Sequence, residues 1–200
     1  MQGTRPLLLA IAGLTSLFIS IPAFAVMSAP YGWYLEANGG STNMSNTSYP
    51  GNVSTSGFGG NADLGYKFMP YFGIEIGYTR YANTIIKEPN NSATAANVEN
   101  FSYDLAAKAI LPIATSGFEA FAKGGVGRTN ADVSVSDTAS ANALGLSDSN
   151  HSATGAYIAL GGQWYFMQEL AFVAQWARAT GDSTTGTMDL YSLGLSFIID

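Results

Sequence analysis

Eight charged residues of this chain recur on alternate positions of short segments that also carry large apolar side chains: Glu36, Asp63, Lys67, Glu75, Asp104, Lys108, Glu119 and Lys123. Five carboxylates with three ammonium groups can build a buried ion-paired core or line a narrow, partly hydrated conduction path. Gln175 shares their parity as a neutral amide. A second group with chemical potential is His151-Ser152, because an imidazole could activate a hydroxyl for acyl transfer. Adjacent strand residues face opposite sides, however, so this spacing is wrong for one constellation and a polar loop histidine is the better account. The chain has no cysteine, which excludes disulfides, thiolate metal sites and a cysteine nucleophile. No metal-ligand spacing or phosphate-binding loop stands out. We therefore expect no cofactor, no bound metal and no enzymatic activity.

The elements that must position these charges centre on Gly57 to Tyr81, GFGGNADLGYKFMPYFGIEIGYTRY. Phe58, Gly60, Ala62, Leu64, Tyr66 and Phe68 alternate with Gly57, Gly59, Asn61, Asp63, Gly65 and Lys67, the periodicity of a strand with one apolar and one polar face. Met69-Pro70 breaks the ladder, and alternation resumes with Phe72, Ile74, Ile76 and Tyr78 against Gly73, Glu75, Gly77 and Thr79. The apolar face is wide, aliphatic in its middle and aromatic at its ends, whereas the polar face mixes glycine with charge. A soluble sandwich reverses this; a transmembrane β-barrel requires it, with lipid outside, aromatic girdles at both interfaces and a narrow polar interior.

The same alternation predicts further strands at residues 31–40, 101–111, 118–127, 156–166, 170–177 and 191–199. Polar stretches at 41–56, 83–99, 128–152 and 179–188 read as loops, in strict alternation with short turns. The expected fold is all-β: an eight-stranded antiparallel up-and-down transmembrane β-barrel, with short turns on the periplasmic side and long loops outside. Each strand is long enough, when tilted, to cross the hydrocarbon core, and an even count closes the ladder without an edge that lipid could not satisfy. Trp33, Tyr78, Trp164 and Trp176 belong by this reading to the aromatic girdles.

The N-terminus reads as an export signal. Arg5 is the positive region, Leu7 to Ile21 the apolar region, and Ala23-Phe24-Ala25 the small-x-small cleavage pattern. Its removal as residues 1–25 leaves residues 26–200 as the barrel domain and, with Arg5 gone, moves the formal net charge from −6 to −7. So acidic a chain lacks the basic stripe that a nucleic-acid partner needs.

In this order and spacing, the segments GYKFMPYFGIEIGYTRY, FEAFAKGGVGR, GGQWYFMQELAFVAQW and LYSLGLSFII resemble the transmembrane domain of outer-membrane protein A and its relatives over nearly all of the mature chain. The resemblance implies a cell outer membrane location and a packed interior with a carboxylate and basic network. Glu75 matches that family's acidic residue in the third strand and Lys123 its lysine in the fifth, while Gln175 replaces an acidic residue with a neutral one. Arg178 falls on the outward set and does not match the arginine that some relatives place before the last strand. The terminal strand is similar to the signal read by the barrel-assembly machinery, through Ser192, Gly194, Phe197 and Ile199, with Ile199 where an aromatic is commoner. The family's C-terminal peptidoglycan-binding domain is expected to be absent.

The role this implies is structural and surface-presenting, with four polar loops offered for adhesion or ligand contact. Expected partners are outer-membrane lipid and lipopolysaccharide, the assembly machinery and periplasmic chaperones during biogenesis, and a host or surface ligand at the loops. Rival readings are a small-solute or ion pore of low conductance, a secreted lipocalin-like binder with its apolar residues inward, and a membrane acylhydrolase dependent on Ser152.

Overall fold

The computed structural model describes residues 31–88, 93–113 and 116–199, so the expected export signal, residues 1–25, lies outside the described residues. Among the described residues ten strands run in chain order: β1 (Gly32–Ser45), β2 (Asn52–Ser54), β3 (Ser56–Met69), β4 (Phe72–Arg80), β5 (Thr84–Lys87), β6 (Thr94–Ile113), β7 (Phe118–Val135), β8 (Ser149–Tyr165), β9 (Leu170–Thr180) and β10 (Thr187–Ile199). One short helix, α1 (Thr138–Ala143), lies between β7 and β8. Eight of these strands pair antiparallel in the circular order β1, β3, β4, β6, β7, β8, β9, β10, and β10 returns to β1. The barrel is closed, up-and-down and without a free edge across its span.

Alternation decides which side of the wall each residue takes. On β10, Leu193 is 71 % exposed on the outer surface while its neighbour Ser192 is 6 % exposed inside. Leu35, Ile76, Leu105, Leu160, Phe172 and Leu195 are likewise exposed outside, whereas Glu36, Glu75, Asp104, Lys108 and Lys123 are buried inside. This inverts the soluble pattern, because hydrocarbon takes the place of water on the outer face. A lipocalin-like binder would need those aliphatic groups inward. No helix of the described residues is long and apolar enough to cross a membrane; the chain crosses with strands.

The expected loop boundaries need correction. β1 continues to Ser45, β6 begins at Thr94, β7 runs to Val135, β8 begins at Ser149 and β10 at Thr187, so strand replaces much of the four polar stretches. β2 pairs with β5, and β5 with the start of β6, so the sheet projects past the barrel. The reason is a small second core. Ile86, Ala96, Val98, Ala131 and Val133 are buried together, with Tyr49, Leu144 and Leu146 packed against them. Apolar residues on alternate positions of otherwise polar segments are enough to hold paired strands once they meet one another. Asp137 caps α1 by accepting from Ser140 N at 3.0 Å, and the helix then delivers Leu144 and Leu146 to that core.

The shortest long-side connection, between β9 and β10, is held by Asp182. Its Oδ1 accepts from Thr185 N at 2.8 Å and Thr184 N at 2.9 Å, and these backbone donors hold the carboxyl below the ordinary carboxylate range. A depressed folded pKa contributes stability above the unfolded value that is lost as pH falls through the folded one. Amide exchange at Thr184 and Thr185 is therefore expected to be slow at neutral pH and to lose its protection only as the pH falls below the ordinary aspartate range. In Asp182→Asn the protection should no longer depend on pH in that range; an unchanged acid dependence would place its origin elsewhere.

Candidate functional site

The barrel interior gathers the charged residues into two clusters. In the first, Lys123 Nζ lies 2.7 Å from Glu75 Oε2, 3.1 Å from Asp63 Oδ2 and 3.3 Å from Glu36 Oε1. Lys108 Nζ lies 3.0 Å from Glu75 Oε1 and 3.2 Å from Glu36 Oε2. Lys108 and Lys123 are direct register partners on β6 and β7, a like-charge juxtaposition that is unfavourable alone. Glu36 and Glu75 reach across from β1 and β4 so that each carboxylate touches both ammonium groups. Tyr34 Oη donates to Glu75 Oε1 at 2.5 Å, and Asn38 Nδ2 donates to Glu36 Oε1 at 2.9 Å. The ring of Phe121 lies 4.5 Å from Lys108 Nζ and 5.3 Å from Lys123 Nζ, adding cation–π attraction where water is excluded.

The second cluster lies nearer the short turns. Lys67 Nζ is 2.8 Å from Glu119 Oε1, and Gln163 Nε2 donates to Glu119 Oε2 at 2.6 Å and to Tyr165 Oη at 3.0 Å. Toward the long loops the lining becomes neutral: Asn61 Nδ2 donates to Asp63 Oδ2 at 2.7 Å, and Gln175 Nε2 donates to Asn61 Oδ1 at 3.3 Å. A cluster of buried side chains stands toward each end. Tyr34, Tyr165, Ala171 and Ile198 pack together at the turn end, and Met44, Tyr81, Met188 and Leu190 at the loop end. Lys108 and Lys123 are 1 % and 3 % exposed. Room for side chains to cross comes from glycine: a Cβ at Gly65 would overlap the ring of Tyr34.

All eight inward charges named from the sequence thus line one lumen, but they differ in use. Glu36, Asp63, Glu75, Lys108 and Lys123 come together, Lys67 pairs with Glu119, and Asp104 makes no hydrogen bond or ion pair among the described residues. Tyr34, Asn38, Asn61 and Gln163 belong to the network although sequence reasoning did not single them out. Their parity, shared with Glu36, Asp63 and Tyr165, was the available signal.

On the outer surface, aromatic side chains form two bands. Trp33, Tyr66, Phe68, Phe72, Phe118, Trp164 and Phe172 lie at the turn end, with centroids 5.2 Å apart for Trp33 and Tyr66 and 5.7 Å for Phe118 and Trp164. Tyr78, Phe101 and Tyr103 lie at the loop end, with Trp176 and Tyr191 on the opposite wall. Arg178 faces outward beside Trp176 and makes a bidentate pair with Asp189 at 2.8 and 2.9 Å. Ser192 and Gly194 face inward on β10; Phe197 and Ile199 face outward, in register with Leu35 and Trp33 of β1. His151 and Ser152 lie on opposite faces of β8, and Ser152 Oγ accepts from Arg128 Nη2 at 2.7 Å. That hydroxyl is engaged by a guanidinium, with no base aligned to it among the described residues.

Residues 11–198 match the model of the outer membrane protein beta-barrel domain family. Similar solved structures include OprG from Pseudomonas aeruginosa, with a TM-score of 0.59 at 12 % identity over 88 % of this chain and 99 % of that one. Neisserial surface protein A is similar with a TM-score of 0.57 at 15 % identity, over 84 % and 97 %. The attachment invasion locus protein Ail of Yersinia pestis, crystallised with the heparin analogue sucrose octasulfate, follows at 0.52 and 13 %, over 84 % and 97 %. An uncharacterised protein of Coxiella burnetii is 32 % identical over 95 residues, and the match spans 42 % of this chain and 37 % of that protein's length.

Proposed function

We propose a structural and surface-presenting role for this chain, which belongs to the outer membrane protein beta-barrel domain family and resides in the outer membrane. The observation that carries the reading is the lumen. Its charges, Asp104 excepted, are engaged in cross-barrel pairing between the buried clusters around Tyr165 and Leu190, an arrangement that favours a filled core over a hydrated file for ions. An eight-stranded barrel is just wide enough for side chains to fill. What remains available to partners is the outer surface and the head formed by β2, β5, α1 and the projecting ends of β6, β7 and β8. The outer surface takes lipid and, in the outer leaflet, lipopolysaccharide. The head offers Ser, Thr and Asn side chains on a folded support, suited to adhesion or contact with a surface ligand. Before insertion, the apolar outer face calls for periplasmic chaperones, and β10, with Ser192, Gly194, Phe197 and Ile199, is the segment offered to the assembly machinery.

Two measurements on the refolded protein test this role. Gel migration with and without heating should show a compact folded form that shifts on boiling, and planar bilayers containing the unboiled form should stay at baseline conductance. Regular, voltage-independent single-channel steps from the folded form would replace the filled-core reading with a pore.

A further inference from the structure

One strand edge of the head lies open among the described residues. β8 starts at Ser149, but its pairing with β9 starts only at Tyr157, opposite Ala179. Before that point it is held on one side alone, by β7, in a register that runs from Val133 opposite Ser149 to Phe118 opposite Trp164 without a bulge. Past Thr180 the chain turns into the barrel mouth: Thr129 Oγ1 donates to Thr185 Oγ1 at 2.9 Å, and Ser48 N donates to Ser183 O at 3.1 Å. Asn150, Ser152 and Thr154 are exposed. The outward residues of β8 also change character here, from Leu160, Ile158 and Ala156 to Thr154, Ser152 and Asn150, so this stretch stands beyond the lipid-facing band.

The ladder fixes which backbone groups are free. Tyr165 N donates to Gly117 O at 2.9 Å, so in an unshifted register the odd residues of β8 exchange their hydrogen bonds with β7. Phe166 N donates to Leu170 O at 3.2 Å, which puts the bonds of the even residues on the β9 side. Asn150, Ser152 and Thr154 therefore aim their N–H and C=O groups where no strand stands. Natural sheets blunt such an edge with lysine, proline, a bulge or a very short strand. The opposite edge of the head does so: β2 has three residues and follows Pro50-Gly51. The segment SNHSATGA, from Ser149 to Ala156, has none of these devices. It is also held in place, because Asp148 Oδ1 accepts from Val135 N at 2.8 Å where the strand begins. Arg128 adds charge. It lies on the outward face of β7 opposite Thr154, and its Nη2 reaches over β8 to Ser152 Oγ at 2.7 Å. Its guanidinium makes no ion pair among the described residues.

We propose that the projecting half of β8 is a docking edge for an extended, acidic segment of a partner protein, which joins the sheet as an added strand. The segment's backbone pairs with Asn150, Ser152 and Thr154. Its residue opposite Ser152 shares the outward face, where a carboxylate meets Arg128 and supplies the counter-charge that the guanidinium lacks. The inference rests on the surface-presenting role proposed above and names the kind of partner. A second copy in the same membrane fits less well. Turned about an axis normal to the bilayer, its β8 runs parallel and brings Ser149, His151 and Ala153 to the face of Arg128, with no carboxylate among them.

The test uses the full chain refolded in detergent. Amide exchange is followed by NMR, and binding by the fluorescence anisotropy of a short labelled peptide of alternating threonine and valine with one central aspartate. In the free protein the amides of Asn150, Ser152 and Thr154 should exchange fast and those of His151 and Ala153 slowly; the peptide should protect the first three. Ser152→Pro removes an N–H from the open side and none from the β7 ladder, so the heat-shifting form should persist while peptide binding weakens by roughly tenfold, the effect of one or two lost hydrogen bonds. Should that variant fail to refold, a peptide N-methylated at alternate amides removes the same bonds from the other side. Arg128→Gln should abolish the preference for aspartate over lysine at the peptide's centre. Slow exchange at the three even amides of the free chain overturns the proposal, as does a wild-type chain that binds no peptide or binding that both Ser152→Pro and N-methylation leave intact. Self-association that Ser152→Pro abolishes would assign the edge to a second copy instead. A folded, non-conducting barrel that binds no peptide loses the docking edge alone, whereas conductance steps overturn the role on which it rests.

Discussion

Replacing Lys123 with methionine is expected to lower the free energy of unfolding in detergent by about 3–5 kcal/mol, the cost of removing one partner from a buried charge cluster. The methylenes and their packing against Phe121 largely survive. What disappears is the ammonium group that lies 2.7 to 3.3 Å from Glu75, Asp63 and Glu36. Three carboxylates then face one remaining lysine, Lys108, in an interior that water does not reach. Glu75→Gln should cost less, because Lys108 and Lys123 keep Glu36 between them. The double variant should be less destabilised than the sum of the single ones, since residues in one network couple. Urea titration followed by the gel shift measures all three. Full stability in Lys123→Met with increased bilayer conductance would mean that the charges line a path and do not fill a core.

Leu193→Arg is expected to destabilise the membrane-inserted barrel by about 2–4 kcal/mol, the range for a cation placed at the lipid-facing midplane. Leu193 is the most exposed aliphatic residue of β10 and lies between the outward aromatic residues Tyr191 and Phe197. On a water-soluble barrel the same substitution would be nearly neutral, because an exposed leucine contributes little there. Ser192→Arg, one residue away, probes the other face: the long side chain must enter a filled lumen. Near-neutral behaviour of Leu193→Arg in lipid vesicles would contradict the outward assignment of the apolar set.

The eight membrane-crossing strands and the inward or outward sense of their residues were legible because period-two alternation is a property of the local chain. Phe72, Ile74, Ile76 and Tyr78 need no partner strand to declare a common face, and all lie outside. The head was less legible. Val98, Ala131, Val133 and Ile86 sit among Ser, Asn, Thr and Asp, and polarity over a short window reads as loop. Their alternation becomes meaningful only once β5, β6 and β7 are side by side. Asp189 escaped notice for a related reason, since its partners Arg178 and Trp176 belong to the neighbouring strand.

Composition and alternation by themselves determined a closed, eight-stranded barrel with charge inside and aliphatic groups outside, because lipid, water and the pleat impose those choices residue by residue. Which charges meet was decided by the tertiary structure. Glu36 meets Lys123 across 87 positions of sequence, and Tyr34 meets Glu75 across 41. Those distances are set by the registers of several strand pairs at once and by the shear that closes the ring. The same registers placed Lys108 beside Lys123 and drew two glutamates between them, while leaving Asp104 opposite Asp63 with only the hydrogen of Gly77 in the gap. Parity states that a charge is inward; only ring closure determines what it faces there.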